Sequence, residues 1–294
     1  MHEIRYSAPT TVPEAVALLA ADGEQARVLA GGTDLLVQLR AGTCPARHLI
    51  DVKRIDELAR LEWDASGNLH VGAAVPCWRL TEDRRAQETF PGLVEATALI
   101  GSTQIQSRAT VAGNLCNGSP AADTAPALIA LGAVCVVQGP SGTREIPCES
   151  FLLAPGRTAL QPGELLVEIR VPAPAPRSAD CYQRFIPRNE MDIAVVGVGA
   201  SVTLGADGRC TAARIGLGAV APTAVLATDA AAALVGTTLD DAALARAADA
   251  ARAHARPISD MRAPAEYRTE VTGVLLRRVV AEAARRARAA KVSA

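Results

Sequence analysis

The sequence has little of what recognition of a nucleic acid requires. Aromatic residues make up 3% of the 294 residues, and 30 basic residues almost balance 31 acidic ones. Stacking surfaces for bases and a basic face for phosphates are therefore both scarce. A formal net charge of −1 also gives no attraction to an anionic membrane surface. The composition argues against a nucleic-acid or lipid partner.

Long apolar segments are also absent. No run of apolar residues approaches the roughly 18 residues that a membrane-spanning helix needs. No secretory signal peptide is evident, and the seven cysteines are an odd number. Both features are typical of a protein kept in a reducing compartment. The sequence therefore predicts a cytoplasmic protein without a membrane span.

Metal-binding motifs are missing as well. The seven cysteines are widely spaced, and none forms a CxxC pair. The four histidines are equally scattered. Zinc knuckles and iron–sulfur loops both require clustered ligands, so the sequence predicts no metal site in this chain. The cysteines are Cys44, Cys77, Cys116, Cys135, Cys148, Cys181 and Cys210.

What the sequence does contain is enough apolar material for a large core, at 49% of its residues. Its length favours about two domains. Helix and strand patterns alternate over residues 1–55, and strands with a few helices follow over 56–175. The proline-rich segment 172–176 is the best candidate boundary, because proline cannot join a central strand. Paired strands and alanine-rich helices over 176–294 then predict an antiparallel sheet with a helical layer, which makes the whole an α+β protein.

A first glycine turn lies between a strand and a helix at residues 29–35, with the sequence LAGGTDL. Glycines allow the backbone to approach a ligand closely, and amide groups at a helix start can bind a phosphate. The turn matches neither GxGxxG nor the P-loop pattern. Taken alone, it also fits a plain structural turn.

A second candidate is the stretch of small and polar residues from 101 to 123. A structural loop of this length is uncommon in a compact domain. Its hydroxyls, its amide groups and the carboxylate of Asp123 can satisfy a polyhydroxylated ligand. The alternative is a long surface loop that satisfies its own polar groups.

Together these motifs resemble the FAD-binding subunit of the xanthine dehydrogenase family of molybdenum hydroxylases. That family includes carbon monoxide dehydrogenase medium subunits and 4-hydroxybenzoyl-CoA reductase β subunits. The resemblance rests on AGGTD at 30–34, TVAGN at 110–114, SPAADTAP at 119–126 and RNEMDIA at 188–194. It covers essentially the whole chain. It implies a fold similar to the FAD-binding domain of p-cresol methylhydroxylase and vanillyl-alcohol oxidase, built from two α/β subdomains.

The resemblance also implies which residues bind FAD. Residues 31–34 and 110–114 would hold the pyrophosphate, Asp123 the sugar-like part, Ile100 the adenine and Leu166 the ring. Some relatives carry a basic residue near the flavin directly after DIA, where this chain has Val195. The full implied set is Leu29, Ala30, Gly31, Gly32, Thr33, Asp34, Leu35, Ile100, Thr110, Gly113, Asn114, Ser119, Asp123 and Leu166.

The function implied is electron transfer, with FAD as the only cofactor of this chain and no catalytic side chain. A molybdopterin-binding large subunit and a [2Fe-2S] small subunit would be its partners, in a heterotrimer that doubles. Electrons would pass between the [2Fe-2S] subunit and an external acceptor. One alternative is a stand-alone flavin-dependent oxidoreductase of the same fold, acting on a small molecule. Another is a nucleotide-binding protein without flavin chemistry.

Overall fold

The structure is a computed structural model that describes residues 3–189 and 191–290. Mixed helices and sheets in three successive parts confirm the α+β prediction. The first part has a three-stranded parallel sheet in the order β1-β3-β2. Its elements are β1 Arg5–Ser7, α1 Val12–Asp22, β2 Ala26–Leu29, α2 Leu35–Ala41 and β3 His48–Asp51.

The second part contains a five-stranded antiparallel sheet in the order β4-β5-β10-β6-β7, and a small β8-β9 hairpin. Its first elements are β4 Leu61–Trp63, β5 Leu69–Gly72, α3 Cys77–Glu82, α4 Arg84–Thr89, α5 Pro91–Ala98, α6 Thr103–Gln106, α7 Val111–Cys116 and α8 Thr124–Leu131. The others are β6 Val134–Gly139, β7 Gly142–Pro147, α9 Cys148–Phe151, β8 Leu152–Ala154, β9 Arg157–Thr158 and β10 Leu165–Val171.

The third part is a four-stranded antiparallel sheet in the order β11-β12-β13-β14, covered by helices. Alanines and valines from the sheet and the helices form one apolar core there. Its elements are β11 Ser178–Phe185, β12 Val196–Leu204, β13 Cys210–Gly218, β14 Val225–Leu226, α10 Thr228–Ala232, α11 Asp241–His254 and α12 Ala265–Ala289.

Helix α1 shows how local sequence sets an element boundary. The Thr11 hydroxyl accepts a hydrogen bond from the Glu14 amide at 3.3 Å, and the Glu14 carboxylate accepts one from the Thr10 amide at 2.9 Å. These reciprocal bonds satisfy amides that the helix itself cannot pair. The Thr-x-x-Glu spacing in the sequence predicts this start.

The polar stretch at 101–123 is not one continuous loop. It contains the short helices α6 and α7, each of which begins at a hydroxyl. Ser102 caps α6 and Thr110 caps α7, because each side-chain oxygen accepts from the amide three residues later. The stretch therefore satisfies part of its own polar groups, as the structural alternative required, while the rest of it faces a cleft.

Close packing of α8 joins the second part of the chain to the third. An added Cβ on Gly216 would lie 2.2 Å from the Pro126 carbonyl oxygen, and one on Gly199 would lie 2.6 Å from it. Only glycine permits this approach of a helix to β12 and β13. At the other edge, the Arg286 guanidinium on α12 makes an ion pair with Glu95 on α5. The third part therefore packs against α5 and α8 and stabilises their positions.

Helix α12 has 25 residues, and it carries many charges. Within residues 3–189 and 191–290, no helix combines the length and the apolar character needed to cross a membrane.

Candidate functional site

A cleft of about 490 Å³ lies between the first and second parts of the chain. This volume is in the range of cofactor pockets. The cleft brings together both glycine-containing motifs, which are about 80 residues apart in the sequence. The sequence-predicted residues that line it are Ala30, Gly31, Gly32, Thr33, Asp34, Leu35, Ile100, Thr110, Gly113, Asn114 and Leu166.

Gly31 allows the two walls of the cleft to meet. An added Cβ at this position would lie 2.1 Å from the carbonyl oxygen of Arg108 and 2.9 Å from the Cα of Ala109. These distances are shorter than any tolerable contact, and both atoms belong to the backbone, which cannot rotate away. A side chain at residue 31 would therefore separate the first glycine turn from the second motif.

The turn after β2 presents backbone amides to the cleft. Gly32 has φ +79°, a left-handed conformation that glycine adopts without strain. The first helical hydrogen bond runs from the Leu36 amide to the Gly32 carbonyl, at 3.0 Å. Amides before that bond have no partner within helix α2. Thr33 and Asp34 lie in this turn, so their amides and the Thr33 hydroxyl can bind an anionic group.

The opposite wall is fixed by side-chain hydrogen bonds. The Thr110 hydroxyl accepts from the Gly113 amide at 2.8 Å, which caps α7. The Asn114 side-chain oxygen accepts from the Thr124 hydroxyl at 2.6 Å, at the start of α8. With its oxygen held by α8, Asn114 has its amide nitrogen left to donate to a ligand in the cleft.

Two charged groups shape the electrostatics of the first wall. Partial burial in the cleft raises the pKa of Asp34 above its usual value. The Lys53 ammonium donates to the Ala30 carbonyl at 3.1 Å and to the Asp51 carboxylate at 2.7 Å. Lys53 thus holds the end of β2 in place from outside the cleft. Of the carboxylates that line the cleft, Asp34 lies in the first glycine turn, and Glu164 pairs with Arg144. This arrangement suits binding of a reactive cofactor more than acid/base catalysis.

Three sequence-predicted residues, Leu29, Ser119 and Asp123, are not among the residues that line the cleft. Asp123 is buried, at 7% exposure, directly before α8. Its carboxylate accepts from the Tyr182 hydroxyl at 2.8 Å and pairs with the Arg184 guanidinium at 2.7 Å. Burial raises the pKa of Asp123 to about 6, although Arg184 and Tyr182 both act to lower it. In this arrangement the Asp123 carboxylate is bound by two side chains of β11, Tyr182 and Arg184.

Several lining residues are absent from the sequence-based set. Gln38 on α2 donates to the Asn117 side chain at 3.0 Å, which ties the two walls together at one end of the cleft. Gly156 enters from the β8-β9 hairpin. Contacts of this kind join residues far apart in the sequence and carry no local motif. The additional lining residues include Gln38, Thr43, Cys44, Pro45, Ala73, Cys116, Asn117, Gly156, Leu160 and Glu164.

The cysteines include one close pair that the spacing does not reveal. Cys135 on β6 and Cys148 on α9 have their sulfur atoms 3.6 Å apart, and both are buried. Cys116 lines the cleft, and burial raises the pKa of its thiol to about 12. A thiol with so high a pKa is a poor nucleophile. Across the part of the chain that the structure describes, no group of three or more His, Cys, Asp or Glu residues could hold a metal ion.

Comparison with known protein families identifies the family of this chain and its cofactor. Residues 2–174 match the family model described as the FAD binding domain in molybdopterin dehydrogenase. The chain belongs to this family. Residues 182–283 match a second model, the CO dehydrogenase flavoprotein C-terminal domain. The resemblance inferred from the sequence motifs is therefore confirmed, and so is FAD as the cofactor of this chain.

Individual members of this FAD-binding family are similar over nearly their whole length. The carbon monoxide dehydrogenase medium chain of Afipia carboxidovorans is 36% identical over 96% of this chain and 97% of its own. The putative xanthine dehydrogenase FAD-binding subunit XdhB of Escherichia coli is 31% identical over 95% of each chain. The chain is accordingly an FAD-dependent oxidoreductase subunit.

A solved structure shows the same fold. Carbon monoxide dehydrogenase from Hydrogenophaga pseudoflava, in a form that lacks the Mo-pyranopterin moiety, contains a chain that superposes with a TM-score of 0.93. The two chains are 36% identical, over 97% of this chain and 98% of that one. This similarity confirms the predicted FAD-binding domain followed by a C-terminal flavoprotein domain.

Proposed function

We propose that this chain is the FAD-binding electron-transfer subunit of a multi-subunit molybdenum hydroxylase. It passes electrons between a [2Fe-2S] partner subunit and an external acceptor. The observation that carries the proposal is the cleft in which Gly31 and Arg108 meet, because its turns offer amides and hydroxyls where a dinucleotide needs them. Support also comes from relatives described as medium chains or FAD-binding subunits of dehydrogenases.

The proposed placement of FAD follows the chemistry of the two walls. Residues 31–34 and 110–114 hold the pyrophosphate through amides and hydroxyls. Ile100 packs near the adenine, and Leu166 packs near the flavin ring. Ala30 and Leu35 complete the first wall, and Leu29 supports it from directly behind the cleft lining. Ser119 and Asp123 bind the sugar-like part. For Asp123 this requires a lone pair that Tyr182 and Arg184 do not use.

The work of the protein is to bind and orient the cofactor. FAD supplies the capacity to accept and release electrons. Gly31 and Gly32 let the backbone approach it, and Asn114 orients it from the other wall. The apolar residues Ile100, Leu160 and Leu166 exclude water from the cleft. In this proposal no side chain acts as a general acid or base.

The wider assembly is also part of the proposal. A molybdopterin-binding large subunit carries the substrate chemistry, and two heterotrimers associate. The chain divides into an FAD-binding domain at 1–175 and a C-terminal domain at 176–294, with a boundary beside the prolines at 172–176. The spans of the two family models support this division. An odd number of cysteines supports a cytoplasmic location.

The test uses the FAD-loaded chain and the [2Fe-2S] subunit of its complex. The [2Fe-2S] subunit is reduced chemically under anaerobic conditions, separated from excess reductant and mixed with the chain. We expect the flavin absorbance to bleach as the iron–sulfur absorbance recovers. A flavin that stays oxidised with the reduced subunit, yet is reduced by a small substrate without it, would contradict the proposal and favour a stand-alone oxidoreductase.

A further inference from the structure

Helix α2 is unusual because it is mostly apolar and yet contributes no buried residue. Leu36 is 53% exposed and Val37 is 64% exposed. Neither lines the cleft, so a bound cofactor leaves both side chains uncovered. Exposed apolar side chains grouped on one short helix are typical of a surface that another protein covers.

A third exposed apolar side chain lies on the hairpin of β8 and β9. Leu153 is 58% exposed. The hairpin contacts the segment that α2 also contacts, because the Gly156 amide donates to the Gly118 carbonyl at 2.9 Å. Next to Gly118, the Asn117 side chain accepts from Gln38 on α2. Helix α2 and the hairpin therefore flank the same end of the cleft.

Two exposed arginines lie at this place, outside the cleft wall that contains Asp34. Arg40 follows Leu36 and Val37 on α2, where residues three and four apart share a face. Arg157 lies on β9, next to Gly156. Both arginines are exposed, and neither has an ion-pair partner among residues 3–189 and 191–290. This contrasts with the chain as a whole, whose net charge is −1.

A different group of exposed apolar side chains lies beside arginines that do have ion-pair partners. Met191, Ile193 and Met261 are all at least half exposed on two loops of the third part. The arginines there are compensated, because Arg188 and Arg262 both pair with Asp192. Positive charge without an ion-pair partner therefore distinguishes the α2 region from this second group.

We propose that Leu36, Val37, Arg40, Leu153 and Arg157 form a cleft-mouth face that docks the [2Fe-2S] subunit. This inference rests on the proposed function. The partner presents acidic side chains around an apolar centre, which complement the two arginines and the exposed leucines and valine. Electron transfer between two centres slows steeply with distance. The subunit that exchanges electrons with the flavin must therefore cover the cleft, and the cleft-mouth face is continuous with it.

The experiment measures binding of the FAD-loaded chain to the [2Fe-2S] subunit by isothermal titration calorimetry. There are two test variants. The double variant Val37→Asp with Arg40→Glu tests helix α2, and the single variant Arg157→Glu tests the hairpin independently of α2. Met261→Asp is the matched control, since Met261 is 94% exposed on the other group. We expect each test variant to weaken binding by about tenfold or more. Flavin content remains unchanged in all three, and added salt weakens the wild-type complex.

Wild-type affinity in both test variants would overturn the docking proposal, as would a loss confined to Met261→Asp. A parallel titration with the large subunit gives a further check. If the test variants bind the large subunit more weakly but keep wild-type affinity for the [2Fe-2S] subunit, the proposal is overturned, because the face then belongs to another partner. These results leave the proposed function intact. A wild-type chain that binds flavin but no [2Fe-2S] subunit would instead contradict the proposed function itself.

Discussion

Gly31 lies directly against the backbone of Arg108, so that an added Cβ would be 2.1 Å from the Arg108 carbonyl oxygen. The contact joins the end of β2 to the segment before α7, and these two segments form opposite walls of the cleft. The geometry of the cleft, where we propose that FAD binds, therefore depends on the absence of a single side chain.

The Gly31→Ala substitution is expected to reduce FAD affinity by at least about a hundredfold, because the walls must move apart and the backbone amides then lose their alignment. Fluorescence titration of the apoprotein with FAD measures the effect. Gly208→Ala is a control, since Gly208 lies in a turn of the third part and an added Cβ there would meet no atom within 4 Å. Equal FAD affinity in wild type and Gly31→Ala would contradict this account of the cleft.

The Asp123–Arg184 pair joins the FAD-binding domain to β11, with both side chains less than one-tenth exposed. Arg184→Met leaves the Asp123 carboxylate buried without its cation, and this is expected to lower the free energy of unfolding by about 3–5 kcal/mol. Chemical denaturation near neutral pH measures the loss. Adding Asp123→Asn to Arg184→Met removes the uncompensated charge and should recover part of the stability. If the double variant recovers no stability, the uncompensated charge of Asp123 is not the cause of the loss.

Asp180 on β11 makes stability depend on pH. Burial raises the pKa of its carboxyl to about 7, although hydrogen bonds from the Gly92 and Leu93 amides act to lower it. The folded state therefore binds a proton that the unfolded state releases near pH 4, so the free energy of unfolding falls as pH rises from about 4 to about 7. Asp180→Asn should make this slope shallower in denaturation curves recorded across that range. An unchanged slope would mean that the carboxyl titrates normally.

His70 on β5 makes a smaller contribution to the pH dependence of the free energy of unfolding. Partial burial lowers the pKa of its imidazole, but hydrogen bonds to Glu168 and Asp64 outweigh burial and raise it overall. The stabilisation is fully present below the unfolded pKa of about 6.5, and is lost as pH rises through the higher folded value. Since the group is partly exposed, we expect about 0.5–1 kcal/mol between wild type and His70→Asn at low pH. The difference should vanish at alkaline pH, and one that persists there would contradict the ion-pair explanation.

The cleft walls could be predicted from the sequence because each is a local motif. AGGTD at 30–34 and TVAGN at 110–114 carry their glycines, caps and amides within a few residues, and the structure brings them to one cleft. The surroundings of Asp123 could not be predicted. Its partners lie 59 and 61 residues away, on a strand whose alternation is broken by the buried polar residue Asp180. The Gln38–Asn117 contact and the β8-β9 hairpin depend in the same way on tertiary packing.

Titration of the purified, flavin-free chain with FAD tests the central claim most directly. The account predicts saturation at one FAD per chain, with quenching of flavin fluorescence and a yellow protein after gel filtration. It also predicts that Gly31→Ala fails to retain the flavin under the same conditions. A wild-type chain that retains no FAD, or one that binds only adenine nucleotides and never a reducible flavin, would contradict the account.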